Sequence, residues 1–279
     1  MLVTVQAVML SQAMSEQFVS YLSQRLGWYR RLQPIAFARS VWQSLSDRKN
    51  ISASFGDDPL VRAVTLSVLM QGHHDGALGW VQESTQMSYS NRWVTQASFL
   101  VATATQVAQL QRTPHEAKVS ELLDDLKAAT GSKEIEHRLD ALIDAKNQNL
   151  SVRSTSKILG GKDHWQNHVV DNALLAIYTY VRHPDKITSG LGELAELEGD
   201  LQGVMSIYGS LSTIHASVES VPRLWRERLS LYPYSAKWVQ GYVDRCTDWP
   251  HGPEDIQATR CLPSHPIGQL IRNLCRGFS

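Results

Sequence analysis

No run of about 18 consecutive apolar residues occurs in this chain of 279, so no segment of it is expected to cross a bilayer. Cysteine is scarce. Cys246, Cys261 and Cys275 all fall near the C-terminal end, an odd number without C-x-x-C spacing, which argues against a disulfide framework and against a zinc site. Reduced thiols in a cytoplasm are the expectation. Net charge is missing too: Lys plus Arg and Asp plus Glu are 27 each, so no global field draws the chain to nucleic acid or to an anionic membrane surface. Any binding must come from a local site. The apolar start has no basic leader and is interrupted by Gln6, Ser11 and Gln12, so a secretory signal is not expected. Nucleophile-elbow, Walker and complete Gly-x-Gly-x-x-Gly motifs are lacking.

What is present is helical spacing. Phe18, Val19, Leu22 and Leu26 share a face behind Ser15, a candidate N-cap, and Ile35, Ala38, Val41, Trp42 and Leu45 form another just after Pro34. Val61, Val64, Val68 and Leu69 repeat the pattern, as do Val94, Ala97, Val101 and Ala108. Val119, Leu122, Leu123 and Leu126 follow, then Ile135, Leu139, Leu142 and Ile143. Val170, Ala173, Leu174, Ile177 and Val181 predict a strongly apolar helix that stops before His183-Pro184. Sustained period-two alternation is absent, so the predicted fold class is all-α, a single-domain helical bundle.

Two stretches interrupt this text. Residues 147–167, rich in Asn, Ser and Gly, read as a long loop. The tail carries Pro233, Pro250, Pro253, Pro263 and Pro266, which divides the chain into a helical domain over 1–230 and a Pro-rich extension over 231–279, with a short helix expected near Ile267 to Leu274.

The most informative words are Glu198-Gly199-Asp200-Leu201-Gln202-Gly203, a small-residue helix, and then Val221-Pro222-Arg223-Leu224-Trp225. Upstream, Gly56-Asp57-Asp58-Pro59-Leu60-Val61-Arg62 precedes Ala63 to Leu66, and Gln86-Met87-Ser88-Tyr89-Ser90 precedes the segment from Trp93 to Leu110. In order and spacing this resembles the ADP-ribosylglycohydrolase family. That family has a Gly-Gly-Asp-Thr-Asp-Thr metal turn with a Pro-x-x-Trp segment one helix later, a Gly-Asn-Gly-x-x-Met-Arg-x-x-Pro pocket segment and a Thr-His pair. The resemblance covers roughly residues 1–230. It implies a helical fold, and in active members a dinuclear magnesium site that cleaves ADP-ribosyl bonds.

The matched positions depart from the family at the chemistry. Asp200 is the one retained ligand position; Gln202 replaces the second Asp and Gly203 the final Thr. Asp57 stands for the Asn, Asp58 for the second Gly, Thr65 for the Pro and Tyr89 for the His. The segment aligned with the N-terminal acidic cluster, Val3-Thr4-Val5-Gln6, lies in a stretch with no Asp or Glu from 1 to 15. Two magnesium ions held together need several carboxylates to offset their repulsion. The expectation is therefore a degenerate site with no cofactor and no catalytic residue that can be assigned. A protein partner or a nucleotide-like or ADP-ribose-like ligand would engage an old cleft around Asp57, Asp58, Arg62, Tyr89, Asp200 and Gln202. The alternative is a divergent ADP-ribosyl hydrolase that uses magnesium at a reorganised site of Asp57, Asp58, Asp171 and Asp200.

Structural roles account for most of these residues as well. Asp200 suits a helix N-cap; Asp57 and Asp58 suit the first turn before Pro59, with Arg62 paired to one of them. Trp225 is expected in the core, Gly203, Ser206, Gly209, Ser210 and Ser212 at close helix contacts, and His73-His74-Asp75 in an exposed turn. His164 and His168 share a helical spacing but have no third ligand nearby.

Overall fold

The computed structural model describes residues 7, 15–32, 56–70, 74–110, 116–159, 168–199, 201–214, 220–228, 230–231 and 234–235. Among them the fold is all-α. In chain order the helices are α1 Ser15–Leu32, α2 Asp58–Leu69, α3 His74–Gln86, α4 Arg92–Leu110, α5 Glu116–Ala129, α6 Lys133–Asn147, α7 Val152–Leu159, α8 His168–Arg182, α9 Ile187–Ala195, α10 Gln202–Ser212 and α11 Arg223–Arg228. A two-residue antiparallel pairing, β1 Ser230–Leu231 with β2 Tyr234–Ser235, is the one extended element described.

The core forms where α4 packs on α2, α3 and α8, and α10 packs on α8 and α2. Small side chains allow this. Ala97, Val101, Ala104 and Ala108 are fully buried along α4, and Val170, Ala173, Leu174 and Ile177 along α8. Their hydroxyl neighbours stay dry because each bonds within its own helix: Ser98 donates to the Val94 carbonyl at 2.8 Å, and Thr105 and Thr179 donate to Val101 and Leu175 at 2.7 Å. As the proline predicts, α8 ends at Arg182, just before His183-Pro184. Phe18, Leu22 and Leu26 of α1 are buried, with Phe18 stacked on Trp80 of α3 at 4.4 Å between ring centroids.

Several expectations are corrected. The supposed loop 147–167 contains α7, a short helix whose Val152, Thr155 and Leu159 are buried beneath an exposed polar face. His74 and Asp75 open α3 rather than a turn, so Gly76 and Gly79 are helical; packing overrides a penalty of about 1 kcal/mol for each glycine. On α2 nearly every side is covered, and Val68 is the exposed one at 43%. Trp225, expected in the core, is 45% exposed on α11. Of the small residues on α10, Gly203 is in close contact and Ser212 is buried, whereas Gly209 faces open space and Ser206 is exposed. The face over 35–45, His73, His164 and the tail helix fall outside the described residues.

Candidate functional site

The head of α2 gathers most of the predicted site. Asp57 occupies the N-cap position with Pro59 in the first turn, as the sequence suggests, but its side chain makes no capping bond. The backbone supplies the turn instead, with Leu60 and Val61 N–H donating to the Asp57 carbonyl at 3.0 and 3.3 Å. Its carboxylate turns inward, where the Asn172 amide donates to Oδ2 at 2.9 Å.

Asp58, the first residue of α2, has both carboxylate oxygens engaged. Arg62 Nη1, one turn along the helix, donates to Oδ2 at 2.5 Å, and the Tyr89 hydroxyl donates to Oδ1 at 2.6 Å. Tyr89 reaches this point because α3 ends in a tight turn, its N–H donating to the Thr85 carbonyl, before the Asn91 side chain caps α4 through Trp93 N–H at 2.9 Å. Burial, reinforced by the adjoining Asp58 charge, pushes the Tyr89 hydroxyl well above the ordinary phenol range, so it stays protonated and donates. Arg62, a residue only 4% exposed, also donates from Nη2 to the Ser84 carbonyl at 3.2 Å and to Ser88 Oγ at 3.4 Å. Its Nε has no hydrogen-bond partner among the described residues. The Arg62 ion pair expected from the sequence is therefore present, with Asp58 as the acid.

The start of α10 closes against this junction. A Cβ placed on Gly203 would lie 2.2 Å from Asp57 Oδ2 and 2.5 Å from Asp57 Cβ, and one on Gly56 would lie 2.2 Å from the Tyr89 hydroxyl oxygen. Both glycines are required by contact. Gln202 opens α10 and is exposed; Leu201 holds the N-cap position one residue after Asp200, which is outside the described residues. The N-cap role foreseen for Asp200 falls there too.

Beside the junction lies a cleft of about 360 Å³ between α7, the first half of α8 and the turn that follows α9. Arg153 and Lys157 line one wall, Glu196 and Glu198 the other, and Asp171 and Asn172 the floor. Asp171 is salt-bridged to Arg138 of α6. Asn172 joins the two regions, since it lines the cleft and bonds Asp57. Sequence reasoning singled out Asp171 and missed its neighbour; helical geometry turns residue 172 toward α2, a distinction no local signal carries.

One further cluster fixes the cleft's shape. Glu193 of α9 accepts from Val152 N–H at the head of α7 at 3.1 Å and lies 2.9 Å from His183 Nε2 and 3.4 Å from Arg182 Nε. Burial opposes its charge, but the Val152 N–H, His183 and Arg182 outweigh that and hold the carboxyl below its usual range. Arg182 also donates to Asn149 Oδ1 at 2.6 Å, and Tyr178 to the Leu150 carbonyl at 2.7 Å. Three of the four residues 149–152 are thus pinned by α8 and α9, including Asn149 in its left-handed conformation at φ 51°.

Among the described residues no three His, Cys, Asp or Glu side chains converge as metal ligands. No described helix is long and apolar enough to cross a membrane. A search of curated proteins finds no match. The family model described as ADP-ribosylglycohydrolase matches residues 1–253.

Proposed function

We propose that this chain, which by that match belongs to the ADP-ribosylglycohydrolase family, works as a non-catalytic binding or regulatory module of the family fold. The observation that carries this reading is the engagement of both Asp58 oxygens by Arg62 and Tyr89. A carboxylate that ligates a metal or takes a proton in hydrolysis works best with its charge unspent and a lone pair aimed at the reacting centre; Asp58 has its charge offset by Arg62 and each oxygen engaged by a donor of its own chain. Asp57 is turned to Asn172, and Asp171 faces Arg138. On this reading magnesium has no resident role, and the chain acts in the cytoplasm.

Recognition is assigned to the cleft. It offers cationic groups on Arg153 and Lys157 opposite acidic ones on Glu196 and Glu198, a pattern suited to a protein segment of mixed charge or to a nucleotide-like or ADP-ribose-like ligand. The competing reading, a divergent ADP-ribosyl hydrolase working through Asp57, Asp58, Asp171 and Asp200, would require two of these acids to leave their arginines.

Calorimetric titration with magnesium and with ADP-ribose, beside an assay on ADP-ribosyl-arginine, separates the readings. The expected result is no magnesium-dependent turnover, with or without ADP-ribose binding. Magnesium-dependent release of ADP-ribose would overturn the proposal.

A further inference from the structure

We infer that Asp57 acts as a wedge closing the head of α10, so that a carboxylate at 57 and any side chain at 203 exclude each other. This goes beyond the loss of individual ligands and does not depend on whether the chain has activity. A Cβ at 203 would meet not only the mobile end of Asp57, at 2.2 Å from Oδ2, but also its Cγ at 2.7 Å and its Cβ at 2.5 Å. Rotating χ1 cannot move the last of these. Nor is the carboxylate free to swing, because Asn172, only 7% exposed on α8, holds Oδ2 at 2.9 Å. The wedge therefore ties α2, α8 and α10 together at one point.

The family resemblance implies magnesium bound at the turn that leads into α10. The described residues beside that turn do not fit it. Octahedral coordination needs oxygens at about 2.1 Å and room for several waters, and the space beside Gly203 is taken by the atoms of Asp57. Gln202, next along the turn, is exposed and brings no charge.

A double-substitution cycle read by thermal unfolding tests the wedge. Gly203→Ala should lower the melting temperature of the otherwise native chain by roughly 3–8 °C through overpacking. In an Asp57→Gly background the same change should raise it by about 1–3 °C, since alanine then replaces glycine in an open helical position. An Asp57→Ala background, which keeps the Cβ, should fall between. Equal cost of Gly203→Ala in all backgrounds would overturn the wedge. If Asp57→Gly does not fold, a cost in Asp57→Ala as large as in the native chain does the same. Millimolar magnesium should leave the native melting temperature unchanged; a rise abolished by Asp57→Ala would show Asp57 holding the ion and sink the idea. Hydrolysis of ADP-ribosyl-arginine, by contrast, would count against the proposed function and leave the wedge standing.

Discussion

The head of α2 and the cleft beside α7 meet at Asn172, yet they treat charge in opposite ways. At the α2 head each acid is matched by a donor from another turn or another helix: Asp58 by Arg62 and Tyr89, Asp57 by Asn172. In the cleft, Arg153 and Lys157 stand on one wall and Glu196 and Glu198 on the other, exposed to solvent. The matched region ties helices together, while the open one leaves its charges to solvent. The described motif positions fall mainly in the matched region, at Asp57, Asp58, Arg62 and Tyr89.

The comparison breaks most sharply at Arg62. Arg62→Met removes a buried cation and leaves Asp58, Ser84 and Ser88 short of their donor, so a loss of about 2–4 kcal/mol in urea unfolding is expected. A loss under about 0.5 kcal/mol would mean that the junction contributes no more than a surface pair.

A smaller effect is expected at Glu193, which shapes the cleft from outside it. Its folded carboxyl titrates below the ordinary value of 4.5, so its contribution is full above that pH and disappears as pH falls through the folded value. Glu193→Gln should therefore cost about 1 kcal/mol at pH 7, and its unfolding curve should merge with the native one in strongly acid buffer. A gap that stays constant with pH would show that the charge is not what matters.

Tyr180 tests the matched region by contrast. Its buried hydroxyl has no hydrogen-bond partner among the described residues, and burial pushes its pKa up to about 12. Tyr180→Phe should therefore be neutral or stabilising by up to about 1 kcal/mol, whereas Tyr89→Phe, which strips Asp58 of a donor, should destabilise. Equal losses for the two would show that the hydrogen bond at Asp58 carries no weight.

Much of this fold could be read from apolar spacing where helices are long and one-sided. On α6 the foreseen Ile135, Leu139 and Leu142 are the buried face, whereas α4 and α8 are covered on further sides that the spacing did not mark, at Leu100, Ala102 and Ala104 on the one and Leu175, Ala176 and Tyr180 on the other. Spacing failed where tertiary contact, rather than composition, makes the helix. α3 carries Gly76 and Gly79, and α7 is eight residues of mostly polar text held at its first turn by Glu193 from 41 positions away. The site divides the same way. Local rules foresaw the acids before Pro59 and an ion pair of Arg62 with one of them, which is the i, i+4 pair with Asp58. The contacts that decide what those acids do, Asn172 on Asp57 and Gly203 against it, join elements far apart in the chain, and no periodicity encodes them.

The least stability change and the largest binding change should come from the cleft itself. Arg153 and Lys157 are exposed on α7, so reversing both to Glu should move unfolding by no more than about 0.5 kcal/mol, far less than Arg62→Met. Recognition should respond in the other direction. If ADP-ribose binds calorimetrically, the double reversal should weaken it at least tenfold and flatten its salt dependence, because two attractive charges have become repulsive. Unchanged affinity would place the ligand elsewhere. The outcome that would dissolve the contrast between the regions is a double reversal that unfolds the chain while leaving its affinity intact, for α7 would then belong to the scaffold, with the recognising surface still to be found.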